Sequence, residues 1–355
     1  MKLIVTGGGT GGHVYPALEV AKYARSLGDD ITYFGSFRGQ EGKASQAAGF
    51  AFLGFPSEPL YSIRTWRGIR AAMRLLKARG AAKRALEQVK PDAVFSTGGY
   101  AAGPVVAAAE VLGIRYVIHE GNSVPGRSNL MFAKSAVAFT TLFKSTERYS
   151  QSVPCKRVGQ PIRTELRDAV RRRKPEPDFV LCIGGSQGSE YLNGSLPRSF
   201  AGERLATARC LLSSGPKNFE STLALVLALG VQERVEVRPY LNTDEIVEAY
   251  CRASVVVGRS GSTLAEIAMF GIPSVLVPLP TAAGEHQLHN AEEFESMNAA
   301  TLLPQPDATP LAMSEAISDW LLDTAKYQQA VRALKEWDLP GATQSIYGYL
   351  KGASQ

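Results

Sequence analysis

Met1-Lys2-Leu3-Ile4-Val5-Thr6-Gly7-Gly8-Gly9-Thr10-Gly11-Gly12-His13-Val14-Tyr15-Pro16 opens the chain, and five of the six residues from Gly7 to Gly12 are glycine. Leu3–Val5 is an apolar run of the kind that forms a buried strand, and the alanine- and leucine-bearing segment Ala17–Leu27 predicts a helix. So glycine-dense a turn lets backbone N–H groups approach an anion at the positive end of the following helix. A diphosphate is the ligand this predicts. Gly7-x-Gly9-x-x-Gly12 also satisfies the dinucleotide-binding spacing, which requires an acidic residue about 20 residues on, at the end of the second strand. That strand, Ile31–Phe34, ends in Gly35-Ser36, and Asp29 and Asp30 lie at its other end. A nicotinamide-linked enzyme is therefore disfavoured.

Outward from this stretch, the first half alternates strand and helix. Strands are expected at Leu3–Val5, Ile31–Phe34, Ala51–Leu53, Ala93–Ser96, Tyr116–His119, Val137–Thr140 and Arg157–Val158, with helices at Ala17–Leu27, Gly68–Val89 and Pro104–Leu112. This is the signature of a parallel sheet with crossover helices. A charged, proline-bearing connection, Arg171–Pro177, follows. Then the opening pattern returns as Phe179–Ile183 and Gly184-Gly185-Ser186-Gln187-Gly188, with further strands at Ala208–Ser213, Val235–Pro239, Ser254–Val257, Ser274–Val277 and Ala300–Leu303. Pro310–Gln355 is helical in pattern, broken at Asp338-Leu339-Pro340. Two α/β domains are expected, each led by a glycine turn at the carboxyl ends of its strands, with both turns facing a cleft.

Composition narrows the classes. With 355 residues, 45% hydrophobic and 20% charged, the chain suits two globular domains rather than a disordered or membrane-spanning protein. No cleavable leader and no apolar run of spanning length is present, which predicts a cytosolic protein. Cys155, Cys182, Cys210 and Cys251 are scattered and suit buried apolar positions better than zinc or disulfides. The net charge of +6 is local, because residues 64–90 hold nine Lys/Arg against one acid, Glu87. On a helical wheel Arg67, Arg70, Arg74, Lys77 and Arg84 share one side, next to Ile69, Met73 and Leu76. Such a helix suits either an anionic membrane surface or a solvated face. Nucleic acid is disfavoured, since aromatics are not interleaved with the basic residues.

Three further clusters fall at strand ends: Thr97-Gly98-Gly99-Tyr100-Ala101-Ala102-Gly103-Pro104, His119-Glu120-Gly121-Asn122 and Gly258-Arg259-Ser260-Gly261-Ser262-Thr263-Leu264-Ala265-Glu266. A fourth, Pro278–Asn290, carries polar side chains suited to sugar hydroxyls, including Glu285, His286, Gln287 and His289. All four histidines of the chain lie in these clusters or in the opening turn. His13 is the candidate proton acceptor, because an imidazole titrates near neutrality. There is no GxxxxGK[ST] for a P-loop, no HExxH, and no Asp-x-Asp to hold a metal–nucleotide complex. Leaving-group charge would then fall to helix N-termini and to cations such as Arg163 or Arg259.

Taken in order, GGGTGGHVYP (7–16), GGYAAGP (98–104), HEGN (119–122), GQPIR (159–163), GGSQG (184–188) with Leu192-Asn193, RSGSTLAE (259–266), and His286-Gln287 with Asn290-Ala291 resemble the MurG family, undecaprenyldiphospho-muramoylpentapeptide β-N-acetylglucosaminyltransferases of glycosyltransferase family 28. The resemblance implies a GT-B fold: an acceptor domain at 1–161, a UDP-GlcNAc domain at 162–337, and a last helix at about 338–355 packing back on the first. It also implies inverting, metal-independent transfer of GlcNAc to the C4 hydroxyl of MurNAc in lipid I at the cytoplasmic membrane face, with no cofactor. His13 and Glu120 would be catalytic. Thr10, Gly11, Gly12, Asn122, Arg163, Ser186, Gln187, Glu266, His286 and Gln287 would bind the donor, and Gly8, Gly9, Gly99, Tyr100 and Gly103 the acceptor. The lipid acceptor favours segment 64–90 as a membrane contact, and other cell-wall synthesis proteins are conceivable partners. Two alternatives are a related UDP-sugar transferase acting on another lipid and a non-catalytic UDP-sugar-binding scaffold. The chain departs from the family pattern at Gly121 (usually Gln), Gln160 (usually Asn), Ser254 (usually Asp) and Ser213-Ser214-Gly215.

Overall fold

Leu3, Ile4 and Val5 alternate across the first sheet, and that alternation sets which helices cover which face. Leu3 and Val5 join one core with Ala17, Val20 and Ala21, while Ile4 joins a second core with Ala78, Ala82, Leu86 and Val105. In the computed structural model, which describes residues 1–58, 65–151, 153–185 and 187–352 but not the side chains at 67–69, 71 and 72, the chain forms two compact units. One is Met1–Arg163 with Leu339–Gln355, and the other is Thr164–Asp338.

Among the described residues the first unit carries strands β1 (Lys2–Thr6), β2 (Asp30–Ser36), β3 (Ala51–Phe55), β4 (Ala93–Ser96), β5 (Tyr116–Glu120), β6 (Ala138–Thr141) and β7 (Lys156–Arg157) in the order β3-β2-β1-β4-β5-β6-β7. Its helices include α1 (Gly11–Ser26), α2 (Glu41–Ala47), α3 (Trp66–Val89), α4 (Gly103–Val111) and α5 (Arg127–Ala133). The second unit carries β8 (Phe179–Ile183), β9 (Arg209–Ser213), β10 (Val235–Arg238), β11 (Val255–Gly258), β12 (Ser274–Leu276) and β13 (Ala300–Leu302) in the order β10-β9-β8-β11-β12-β13. All pairings are parallel. Each sheet is doubly wound, so each has a point where strand order reverses, at β1/β4 in one and β8/β11 in the other.

Every strand expected from the sequence is present, with ends shifted by at most two residues. The first helix differs. It begins at Gly11, inside the glycine run, and carries Pro16 within it. Glycine and proline lower helix propensity, so periodicity alone placed its start six residues late. Pro16 is the sixth residue of the helix, so it lacks the N–H that would otherwise reach the Gly12 carbonyl, and its ring is buried.

The final helix, Ala342–Lys351, places Ile346, Tyr347, Tyr349 and Leu350 in the core of the first unit beside Leu3, Val5 and Ala17. Tyr347 Oη donates to Asp29 Oδ2 at 2.7 Å, and Arg115 donates to the Tyr349 carbonyl at 3.1 Å. Fully burying a side chain the size of Ile346 or Leu350 contributes about 1.5–3 kcal/mol. Among the described residues no helix is long and apolar enough to cross a membrane.

Candidate functional site

In the first unit the turns after β1 and β4 are one structure. Gly8 N–H donates to the Gly98 carbonyl at 3.3 Å, and Thr97 Oγ1 donates to the His13 carbonyl at 2.7 Å. Gly99 has φ +82, and a Cβ there would lie 2.2 Å from the Gly8 carbonyl oxygen, so no other residue fits. Beneath them the buried Glu41 carboxylate accepts from Ser36 N–H at 2.9 Å and Gly9 N–H at 3.4 Å. Tyr33 Oη donates to the Gly7 carbonyl at 2.7 Å. The turn is thus fixed from below by side chains that sequence patterns did not single out.

This changes what individual glycines do. The N–H groups of Gly8 and Gly9 are committed to protein acceptors, so these two shape the turn rather than donate to an anion. The donors left are those of Thr10, Gly11 and Gly12, at the start of α1, where no acid stands in the first turn and no side chain caps the end. His13 follows directly, its Nδ1 3.0 Å from Thr10 Oγ1. Tyr100 lies over the turn, since a Cβ at Gly9 would meet its ring at 2.7 Å, and Gly103 begins α4.

The HEGN turn ends β5. Glu120 is 1% exposed, and both oxygens are taken: Oε1 by the backbone and side-chain N–H of Asn122 (2.9 and 3.2 Å), Oε2 by Gly126 N–H and Asn129 Nδ2 (2.9 and 2.8 Å). Burial pushes its carboxyl pKa up, and these N–H groups pull it back. The expectation of a catalytic Glu120 is corrected to a buried clamp that fixes loop 120–129, because a carboxylate with both oxygens engaged has none to offer. His119 is also a buried structural group, 3.2 Å from Thr140 Oγ1 and 2.8 Å from Gln160 Oε1, and burial pulls its pKa down to about 4. Arg163, the last residue before the chain enters the second unit, sets its guanidinium 6.0 Å from the Tyr15 ring.

The second unit builds its polar cluster from side chains. Glu266 lies in the first turn of the helix Thr263–Phe270, and the fully buried Tyr250 donates to its Oε2 at 2.8 Å while stacking on Phe270. Ser260 Oγ donates to the Gln287 carbonyl at 2.5 Å, and Asn290 Nδ2 donates to the Ser260 carbonyl at 2.9 Å. Gln287 Oε1 accepts from Leu279 N–H at 3.0 Å, which leaves its Nε2 without an acceptor among the described residues. His286 Nδ1 faces the Ala283 carbonyl at 2.8 Å, so Nδ1 carries the proton. Glu285, just before it, has φ +54, a strained conformation for a non-glycine residue of the sort found at ligand sites. Arg259 does not serve as a spare cation, since its guanidinium is held by the Val277 and Pro278 carbonyls and Gln305.

Of the GGSQG turn, Ser186 lies outside the described residues, and Gln187 is exposed. Gly188 (φ +75) packs against the turn after β9, where a Cβ would fall 1.8 Å from the Ser214 carbonyl, and Asn193 Nδ2 caps that same carbonyl at 2.8 Å. This accounts for Ser213-Ser214-Gly215 as the matching half of the turn. Three positioning residues, Glu41, Asn129 and Tyr250, were missed by sequence reading, because the spacings that join them to Gly9, Glu120 and Glu266 belong to no motif.

Comparison with known proteins shows the family. Residues 3–140 match the glycosyltransferase family 28 N-terminal domain and residues 179–344 the family's C-terminal domain. The chain is 34% identical over its full length, and over the full length of the relative, to the UDP-N-acetylglucosamine–N-acetylmuramyl-(pentapeptide) pyrophosphoryl-undecaprenol N-acetylglucosamine transferase of Lactococcus lactis subsp. cremoris strain MG1363. It is 32% identical to the protein of that name from Moorella thermoacetica, covering 98% of this chain and 97% of the relative. Among solved structures, the Acinetobacter baumannii MurG crystal structure superposes with a TM-score of 0.79 at 27% identity, covering 99% of each chain.

Proposed function

The chain belongs to glycosyltransferase family 28, and from that membership we propose that it transfers GlcNAc from UDP-GlcNAc to the C4 hydroxyl of MurNAc in lipid I, with inversion, to give lipid II in peptidoglycan synthesis. The observation that carries this reading is the full-length identity to the Lactococcus transferase.

The site residues have the chemistry the reaction needs. A sugar hydroxyl is a weak nucleophile, so His13 takes its proton as the oxygen attacks C1 of GlcNAc. The bond from C1 to the phosphate oxygen breaks on the opposite face, and UDP leaves with the electron pair. The N–H groups of Thr10, Gly11 and Gly12 are donors for diphosphate oxygens, and Arg163 adds positive charge. Glu266, aimed by Tyr250, accepts from ribose hydroxyls. Gln287 Nε2 donates to GlcNAc oxygens with His286 beside it, and Gln187 is a further donor-binding residue in this reading. Charge is met by backbone and guanidinium, so no metal is required.

A lipid-linked acceptor calls for a membrane contact, and α3 suits one. Its inner face buries Ala78, Ala82, Ala85 and Leu86, while Trp66, Met73 and Leu76 are 79%, 55% and 67% exposed beside the exposed Arg70 and Lys77. Arg64 lies outside the described residues. The protein would dock peripherally, on the cytoplasmic face, and Leu76→Ser should weaken its sedimentation with anionic vesicles.

The deciding experiment is transfer of radiolabelled GlcNAc to a short-chain lipid I analogue, with EDTA, for wild type and His13→Ala. The expected result is EDTA-insensitive transfer that falls about 10²–10⁴-fold in the variant. A fully active variant would remove His13 as base. Saturable UDP-GlcNAc binding without transfer would overturn the acceptor.

A further inference from the structure

Arg74 leaves the basic stripe of α3. It is half-buried, whereas Arg70 and Lys77 are exposed, and its Nη1 donates to Glu58 Oε2 at 2.9 Å. Arg38, in the loop after β2, donates from its own Nη1 to the same oxygen at 3.0 Å. Two guanidinium groups thus converge on one carboxylate, which leaves a positive charge uncompensated. A guanidinium has five N–H donors, and among the described residues neither arginine makes a further hydrogen bond. Glu58 is 7% exposed, and its Oε1 is buried with no hydrogen-bond partner. Ser57 Oγ, one residue earlier, is a second such atom. A bare carboxylate oxygen is costly to bury, and an N–H from a ligand would satisfy it.

The cluster stands at the same edge of the sheet as the opening glycine turn. Arg38 follows β2 and Glu58 follows β3, and both strands run parallel to β1, so these residues lie at the carboxyl ends where ligands of such sheets bind. Two strand spacings put the end of β3 about 10 Å from the end of β1. Hydrogen bonds join the two places. Glu41 accepts from Gly9 N–H and Ser36 N–H, Ser36 Oγ donates to the Ser57 carbonyl at 2.9 Å, and Arg38 N–H donates to Ser36 Oγ at 3.2 Å. Phe37, between Ser36 and Arg38, is 70% exposed, and its ring lies where a Cβ at Gly54 would meet it at 2.4 Å. The loop therefore presents an apolar surface next to its cation.

The chemistry selects among anions. Guanidinium forks match the two oxygens of a carboxylate. A diphosphate has the N–H groups of Thr10, Gly11 and Gly12 to itself, and it has no N–H to offer Glu58 Oε1. The last residue of a peptide has both groups, a carboxylate and, one carbon away, an amide N–H. We propose that Arg38 and Arg74, yoked by Glu58, form a subsite for the terminal carboxylate of the acceptor's peptide, with Glu58 Oε1 accepting the N–H of that last residue. This rests on the transferase reading above, in which the acceptor sugar carries a pentapeptide. It gives the first unit a hold on the peptide that is separate from the N-terminus of α1.

The test crosses two variants with two acceptors. Arg38→Gln and Arg74→Gln would be compared with wild type on a short-chain lipid I analogue whose peptide ends in the free acid, and on the same analogue ending in the carboxamide. Thermal unfolding checks that the variants fold. For wild type the acceptor KM is expected to be about tenfold higher with the carboxamide than with the acid. Each variant should show a KM about tenfold above wild type on the acid, about equal to wild type on the carboxamide, and a UDP-GlcNAc KM changed by less than about twofold. Equal use of the two analogues by wild type would overturn the proposal, whatever the variants do. So would variants impaired equally on both analogues, the result expected if the arginines met the diphosphate or a membrane surface instead. Absence of transfer by wild type to either analogue would overturn the transferase reading, and this inference with it.

Discussion

The glycine turns after β1 and β8 start from the same sequence device, yet the first unit ends it in bare backbone and the second in side chains held by other side chains. The N-terminus of α1 has no acid in its first turn and no side-chain cap. The matching helix of the second unit, Glu190–Ser199, is capped by Ser189 and has Glu190 in its first turn. A carboxylate at a helix N-terminus competes with an anion for the same dipole. The second unit places its distinctive groups instead around Thr263–Phe270 and Pro278–Asn290, where Tyr250 fixes Glu266 and Leu279 N–H fixes Gln287. Repetition of a motif is therefore no guide to repetition of a site. Backbone donors suit an anion that recurs in many ligands, whereas fixed side chains suit a particular pattern of hydroxyls.

The largest effect that would break this comparison is expected at Gly99. Gly99→Ala puts a methyl group against the Gly8 carbonyl oxygen at a positive φ, so acceptor-dependent kcat/KM should fall by more than about 100-fold, the scale on which small misplacements at a site act. Kinetics with each substrate varied in turn checks it. A loss confined to the UDP-GlcNAc KM would reverse the assignment of the two units.

Acid should loosen the first unit before the second. The His119 imidazole is held neutral by burial, with its pKa pulled from 6.5 to about 4. The unfolded chain takes up this proton first, so the stabilisation is complete above about pH 6.5. It is lost as pH falls towards 4, by about 3 kcal/mol in all. His286 and His289, in the second unit, are only half-buried. Melting curves from pH 7 to 4 should fall more steeply for wild type than for His119→Gln, and parallel curves would contradict the buried-imidazole account.

Tyr250→Phe sharpens the side-chain half of the comparison. It removes one hydrogen bond to Glu266 and keeps the stacking on Phe270, so the UDP-GlcNAc KM should rise about fivefold with acceptor KM unchanged. The smallest effect is expected for Glu190→Gln, less than twofold in the UDP-GlcNAc KM. A marked tightening there would show that the Glu190–Ser199 terminus seats an anion after all.

How much of this was legible in the sequence follows from the same contrast. The apolar run Leu3–Val5, and the recurrence of a strand and glycine turn at Phe179–Gly188, disclosed both sheets, because a strand covered on both faces is apolar at every position. Gly99 and Gly12 were legible because glycine marks a backbone requirement directly. The start of α1 was not, since Gly11, Gly12 and Pro16 all argue locally against a helix that the sheet stabilises. Glu120 and Arg259 read as chemistry in one dimension and are held in place by several partners each, Glu120 on both oxygens and Arg259 by two carbonyls and Gln305, which no spacing rule connects. Tyr250 and Glu41 were illegible for the converse reason, since nothing local distinguishes them from ordinary core or surface residues.

The final helix has a consequence for how the molecule is made. Ile346, Tyr347 and Leu350 complete the core around β1 and α1, yet they are joined to it through the whole of Thr164–Asp338. During synthesis from the N-terminus, the second unit is released from the ribosome with all its strands while the first still lacks one wall. The part of the chain emerging first is thus the last to close, and until then its apolar residues Leu3, Val5 and Ala17 lack the cover that the final helix supplies.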